Sequence, residues 1–394
     1  MSVPTVTIKG TLRSPHPWVW RTRIDWRRSP KRLGAGAVVR VVDGDGAPVG
    51  RGLVHPDVTI GLRLLTRDPD EELDGAFFAR RFARALRLRR DVLRLDEAGD
   101  AFRLVHAEAD DLSGLVVDVL GDVVRVDCFA RGMAALEGEV RAGLAEVLPG
   151  RPVVVRGDRR AGDLEGFAVR PRADDPPRTT VTEHGVRFRV DLRTGHKTGF
   201  FLDQRENRAF LAHLARGRTV VDAHTYTGGF ALAAAVRGEA ARVTGVDLDE
   251  KAIAVAKENA KLNQVQGKVR FVQADAFHFL RDLVRGGQGP EVLVLDPPKL
   301  ARDREAKEQG LRAYADLNRL GLEAVADGGL LVTCSCSGVV SEEDLLDVLR
   351  SAAARTGRAL TLLRVSGAAA DHPVALHVPE TRYLKAVFAR VERL

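Results

Sequence analysis

Two cysteines stand one residue apart in Leu331–Gly338, LVTCSCSG: Cys334 and Cys336. Such a pair has several chemically distinct uses. Two small side chains can simply pack in a core. A metal site needs about four ligands, and no second Cys or His cluster in the chain has suitable spacing. A disulfide between residues i and i+2 is strained. A thiolate can instead be a nucleophile: adding to carbon-6 of a pyrimidine makes carbon-5 enamine-like and able to take a methyl group. That use needs a group to stabilise charge on the ring, and VLVLDPPKL offers one. Asp296 is followed by Pro297 and Pro298, which fix the backbone and have no amides for a ladder, and then by Lys299. Such a rigid loop can present a carboxylate and a base-facing surface.

Three more acidic positions follow apolar, strand-like runs. In VVDAHTYTGGFALAAAV, Asp222 ends a strand and Tyr226, Thr227, Gly228 and Gly229 form a tight turn into a helix. Glycines there let a ligand approach the backbone closely, and the absence of G-x-G-x-x-G disfavours a dinucleotide fold. In GVDLDE, Asp247 is placed to accept both hydroxyls of a ribose. In QADAF, Asp275 and Ala276 fall where an adenine would lie. Any one of these acids is equally a helix cap. In this order, at successive strand ends, they point to S-adenosylmethionine as the cofactor.

These positions require a particular scaffold. Apolar strands at Thr219–Ala223, Val243–Asp247, Val269–Gln273, Glu291–Asp296, Gly329–Thr333, Ala359–Val365 and Tyr383–Val391 alternate with helices, which predicts a mostly parallel, doubly wound α/β sheet. Sites in such sheets form at the carboxyl ends of the strands, so Asp296 and the cysteine loop are expected to face one cavity. Upstream, AVVRVVDGDGAPVGRGLV reads as a hairpin within a β-rich unit ending near residue 74. A helix is expected over 75–93, with Phe78, Phe82, Ala85, Leu86 and Leu93 on one face, and another over 134–147. PRADDPPRTT, Pro171 to Thr180, is a proline-rich break and a domain boundary.

The chain holds 394 residues, so two or three domains are expected. Three cysteines provide no disulfide framework, and neither a signal peptide nor a membrane span is apparent, so a cytoplasmic location is expected. Charge is unevenly spread. Residues 1–40 carry nine basic side chains (Lys9, Arg13, Arg21, Arg23, Arg27, Arg28, Lys31, Arg32, Arg40) against Asp25 alone. RRFARALRLRR, Arg80 to Arg90, is a second basic cluster. Clustered guanidinium groups suit phosphate, although only ten lysines against so many arginines also fits coding bias.

The ordered series HPWVW, HAEADDLSGLVVD, KTGFFLDQRENR, YTGGFA, LDPPK, CSCSG, ADHPV and PETRYLKA resembles the bacterial large-subunit ribosomal RNA cytosine-C5 methyltransferases with an N-terminal PUA domain. The resemblance spans essentially the whole chain. It implies an RNA-binding PUA domain of β-barrel type over 1–74, a small central α+β domain over 75–178, and a class I methyltransferase domain over 179–394. That last domain has a Rossmann-like, seven-stranded, mostly parallel sheet. It implies S-adenosylmethionine as cofactor and 23S ribosomal RNA as partner, with no membrane and with a homodimer left open. It makes Cys336 the nucleophile, Asp296 its catalytic partner, and Pro297, Pro298 and Lys299 the substrate-facing residues. It puts Phe201, Asp203 and Arg205 beside the methionine end of the cofactor, where Asp203 has helix N-capping as its other use. His372 of ADHPV receives no chemical role. Lys299 stands where the other large group of RNA cytosine-C5 methyltransferases has a second cysteine. Two other functions stay open from sequence: nitrogen methylation of guanine or adenine, which uses no thiol, and non-catalytic RNA binding or ribosome assembly.

Overall fold

The computed structural model describes residues 3–193 and 199–394. Its contacts divide the chain into two compact units. The first contains Met1–Thr180, Val190–Phe200 and Asp371–Thr381; the second contains Val181–Arg189, Phe201–Ala370 and Arg382–Leu394.

In the first unit, β1 (Thr5–Thr7), β2 (Trp18–Trp20), β3 (Ala37–Val42), β4 (Pro48–Val54) and β5 (Ile60–Thr66) form a five-stranded sheet in the order β1-β3-β4-β5-β2. The Asp-Gly-Asp-Gly turn joins β3 and β4 as an antiparallel hairpin, as its alternating pattern predicts. Alternate residues Val39, Val41, Val54, Leu62 and Leu64 fill the core of this sheet with Val6, Ile8, Val19 and Ile24. Helix α1 (Gly75–Arg87) starts at Asp74, whose carboxylate accepts from the Phe77 amide at 2.8 Å. Phe77, Phe78, Phe82 and Ala85 are buried. The helix then widens into one π turn, Leu88–Val92.

A four-stranded sheet follows: β6 (Ala101–His106), β7 (Leu115–Leu120), β8 (Val123–Cys128) and β9 (Val153–Gly157). The expected helix over 134–147 is two helices, α2 (Arg131–Ala135) and α3 (Glu137–Val147). Leu136 separates them, with φ −94° and ψ 19°, outside the helical range. Helix α4 (Arg159–Glu165) completes this region. Leu53 and Leu65 of the first sheet lie in the same core cluster as Phe78, Phe82, Leu104, Val117 and Val126. β10 (Arg178–Glu183) and β11 (Val186–Asp191) pair as a two-stranded sheet.

The second unit is a seven-stranded sheet. Its strands are β12 (Thr219–Ala223), β13 (Arg242–Asp247), β14 (Val269–Gln273), β15 (Val292–Leu295), β16 (Leu330–Ser335), β17 (Arg358–Ser366) and β18 (Lys385–Arg393). The order is β14-β13-β12-β15-β16-β18-β17, parallel except for β18 and its two pairings. This is the expected mostly parallel α/β sheet. Helices α5 (Arg205–Leu214), α6 (Gly229–Leu232), α7 (Glu250–Leu262), α8 (Ala276–Gly286), α9 (Lys307–Ala324) and α10 (Glu342–Thr356) connect its strands. The chain reverses direction between β12 and β15, and ligands gather at such a switch point. Among the described residues no helix is long and apolar enough to cross a membrane.

Candidate active site

Asp222, Asp247, Asp275 and Asp296 all fall at or just beyond the carboxyl ends of β12, β13, β14 and β15. Asp222 is 1% exposed. One carboxylate oxygen, Oδ2, accepts from the Thr225 hydroxyl at 2.5 Å and the Ala231 amide at 2.9 Å. Burial raises this carboxyl to about 7 against the opposing pull of those two donors, and Asp296 and Asp247 add to the rise. Its other oxygen, Oδ1, is buried without a protein donor. A buried acceptor left open in this way suits a hydrogen-bond donor on a ligand.

The turn after β12 is conformationally costly. His224 (φ 65°) and Tyr226 (φ 51°) are left-handed, which non-glycine residues adopt only where their surroundings impose it. Asp247 supplies part of that hold: Oδ2 accepts from the Tyr226 amide at 2.8 Å and Oδ1 from the Asp249 amide at 2.9 Å. Asn259 of α7, fully buried, donates to the Thr227 carbonyl at 3.0 Å. Gly228 (φ 93°) ends the turn, and a Cβ there would meet the Phe271 ring at 2.9 Å. Gly229 opens α6. Beside Asp247, Leu248 is 66% exposed, an apolar surface that no sequence signal singled out. Asp275 caps α8, accepting from the His278 amide at 3.0 Å, and Ala276 is the buried first residue of that helix.

Phe201 and Asp203 come from the segment before α5, and Arg205 is the first residue of that helix. The Phe201 ring meets that of Tyr226 edge-on at 5.1 Å. Its carbonyl accepts from Arg208 Nη1 at 2.9 Å, and Arg208 forms a buried two-pronged pair with Glu183 at 2.7 and 2.6 Å. Asp203 does not cap a helix: Gln204 holds the N-cap position of α5, with no side-chain cap bond. Asp203 Oδ2 accepts instead from the Tyr383 hydroxyl at 2.6 Å. Arg205 is 2% exposed. Lys197 and Thr198 of KTGFF lie outside the described residues.

The cysteine loop lies next to Asp296. β15 and β16 are parallel neighbours, with Leu295 opposite Thr333. Gln204 Nε2 donates to Asp296 Oδ2 at 3.1 Å. The two cysteines then part ways. Cys334 is 0% exposed, and burial pushes its thiol well above the ordinary value, with Asp296 adding to the effect. Cys336 is half-buried. The serines on either side of it are inside: Ser337 Oγ accepts from the Ala301 amide at 3.1 Å and contacts the Tyr314 hydroxyl at 3.2 Å. Pro297 is buried, while Pro298 and Lys299 are exposed. Sequence reasoning gave no role to Gln204, Tyr383 and Lys385, although they lie within KTGFFLDQRENR and PETRYLKA. Lys385 is 4% exposed and donates to the Ser337 carbonyl at 2.7 Å.

His372 belongs to the first unit. It is 3% exposed; Nδ1 lies 2.9 Å from Asp371 Oδ1, and its ring packs against His106 at 5.2 Å. Among the described residues no group of three or more His, Cys, Asp or Glu is placed to hold a metal ion.

A seven-stranded sheet with this turn and these acids at its strand tips defines an S-adenosylmethionine-dependent methyltransferase. A family model of that description matches residues 164–375, and a PUA-like domain matches residues 9–67. Proteins named ribosomal RNA large subunit methyltransferase I align along nearly the whole chain. The one from Tolumonas auensis is 36% identical, covering 97% of this chain and 96% of its own. The one from Alteromonas mediterranea is 33% identical over 97% and 96%, and one from Escherichia coli 32% over 99% and 100%. The chain belongs to this family. Two solved structures share the fold at 20% identity, each covering 98% of this chain and 100% of its own. One, SMU.776, was solved in complex with SAH (TM-score 0.82), and the other comes from Streptococcus mutans (TM-score 0.79).

Proposed function

We propose that this enzyme methylates carbon-5 of a cytidine in large-subunit (23S) ribosomal RNA through a covalent adduct to Cys336. The observation that carries the reading is the contrast within one loop: a half-exposed thiol at 336 beside a sealed one at 334, next to Asp296. The full-length relatives named for large-subunit ribosomal RNA support the substrate. The division of labour is a PUA-like RNA-binding domain over 1–74, a central α+β domain over 75–178 and a catalytic domain over 179–394.

Asp222 and Asp247, the Tyr226–Gly229 turn and the Asp275–Ala276 corner hold the cofactor, with Phe201, Asp203 and Arg205 at its methionine end. S-adenosylmethionine supplies the methyl group as an electrophile. The protein brings the base out of its stack. The Cys336 sulfur forms a bond to carbon-6, and the carbon-5–carbon-6 π electrons become available at carbon-5. Asp296, oriented by Gln204, hydrogen-bonds the N3/N4 edge and stabilises the charge gathered on the ring. Once carbon-5 carries the methyl group, its proton passes to water, which restores the double bond and expels the thiolate. Pro297 and Pro298 keep the loop rigid, and Lys299 meets the RNA.

RNA containing 5-fluorocytidine tests this, because fluorine blocks the proton loss that frees the enzyme. The expected result is a covalent complex with the native enzyme and none with Cys336→Ala. Methylation of ribosomal RNA without any trapped adduct, and surviving in Cys336→Ala, would instead indicate nitrogen methylation.

A further inference from the structure

Lys385 carries a buried charge that the reaction described above leaves unused. It lies on β18 directly opposite Ser335 of β16, one residue before Cys336. Its ammonium donates to the Ser337 carbonyl at 2.7 Å and the Tyr383 carbonyl at 2.9 Å, both neutral. Among the described residues, no carboxylate lies within ion-pair distance of it. A charge removed from water needs an opposite charge nearby. Asp344 is near, but it is taken by Lys307 at 2.7 Å. The other charged neighbours, Lys299 and Arg382, are cations, and Arg382 is itself held by Glu342 at 2.8 Å. Among the described residues, the remaining neighbour able to carry negative charge against Lys385 is Cys336, which lies between the Ser335 that Lys385 faces and the Ser337 carbonyl that it bonds.

We propose that Lys385 is the counter-charge that holds Cys336 as a thiolate and positions it for attack. This rests on the reading of Cys336 as the nucleophile. Two of the three ammonium N–H groups fasten the lysine to the backbone on either side, which leaves one for the sulfur. The anchor is firm, because the Ser337 side chain is itself held by Ala301 and Tyr314. Among the described residues, the titratable groups coupled to Cys336 besides Lys385 are Tyr314 of α9 and Cys334 of β16, and neither supplies positive charge. Burial lowers Lys385 to about 8, with Lys299 and Arg382 pushing the same way and Cys336 opposing. The lysine is thus held protonated in part by the thiolate it stabilises.

The test is the pH dependence of Cys336 alkylation by iodoacetamide in the RNA-free, full-length enzyme, read by peptide mass spectrometry. Cys128, pushed up to about 12 by burial, and the sealed Cys334 do not compete. The native midpoint is expected below the ordinary thiol value of about 8.5. Lys385→Met should raise it by about one unit and slow alkylation at neutral pH about tenfold, with cofactor affinity kept. Lys385→Arg should bring the midpoint back toward native. A native midpoint at or above about 8.5, or an unchanged midpoint in a cofactor-binding Lys385→Met, overturns the proposal. If Lys385→Met fails to bind cofactor because it does not fold, the native midpoint decides alone. The 5-fluorocytidine adduct fails or succeeds separately: a low, lysine-dependent midpoint without any adduct keeps the pairing and removes the C5 reaction.

Discussion

Cys334 and Cys336 differ most in their access to solvent, and their substitutions should separate cleanly. Cys336→Ala is expected to abolish methyl transfer while leaving cofactor affinity nearly unchanged. Cys334→Ala should keep most activity and lose about 1 kcal/mol of stability, because it removes one fully buried sulfur from a packed site. Methyl-transfer assays with thermal denaturation of both variants check this, and the opposite pattern would reverse the roles. Asp247→Ala should weaken S-adenosylmethionine by about 1–3 kcal/mol in titration calorimetry. It removes not only the proposed ribose acceptor but a bond that holds the left-handed Tyr226 turn. The acids were legible because they end periodic apolar runs. The roles of Gln204, Tyr383 and Lys385 were not, although all three lie in the quoted motifs, because each reaches its partners through strand register or a helix start rather than through local spacing.

At the scale of elements, strand positions in the catalytic sheet were readable to within one or two residues, since buried parallel strands are unbroken β-branched and aliphatic runs. Helix surfaces were less readable. The Arg80–Arg90 cluster looked like a phosphate surface, yet Arg89 is fully buried and clamps Asp110 at 2.6 and 2.8 Å. Arg80, Arg81, Arg84 and Arg90 are each paired with Glu71, Asp111 or Asp96. Arg89 also donates to the Asp371 carbonyl at 2.8 Å, and Asp371 accepts from the Arg103 amide at 2.8 Å. This ties the 371–381 segment to the first unit and surrounds His106 with Arg103, Arg89 and His372. Burial first, then those neighbours, hold His106 well below the usual imidazole range, so it stays neutral when folded. The unfolded chain takes up that proton below about pH 6.5 and the folded one does not. Stability should therefore fall as pH drops through that value, by up to about 1.4 kcal/mol per pH unit from this one group. Chemical denaturation at a series of pH values should show that slope, and His106→Gln should flatten it. An equal slope in the variant would assign it elsewhere.

For the whole molecule, the question is where RNA meets the protein, and the two basic regions give different answers. Exposed Lys9, Arg21, Arg23 and Arg28 donate to backbone carbonyls, which leaves their charge uncancelled. Among the described residues, Arg40, with Asp70, is the one lysine or arginine of residues 1–40 in an ion pair with an acid. Trp20, 46% exposed, adds an aromatic face on which a base can stack. In the helix cluster, by contrast, Arg80, Arg84, Arg89 and Arg90 each face an acid within the protein. Removing residues 1–72 is not a clean test, because Leu53 and Leu65 belong to the core shared with the central sheet and Trp18 Nε1 donates to Glu108 at 3.0 Å. Replacing the exposed Arg13, Arg27, Lys31 and Arg32 with glutamine leaves that core intact. If these four contact phosphates, RNA affinity should fall several-fold at low salt, and the slope of log affinity against log salt should flatten by about 3. Cofactor affinity should not change. The same four replacements at Arg80, Arg84, Arg87 and Arg90 should move the slope by less than about 1, since most of that charge is spent on acids within the protein. A salt titration of RNA binding by both quadruple variants measures the difference. Equal slopes would mean that pairing within the protein does not decide which arginines the RNA finds.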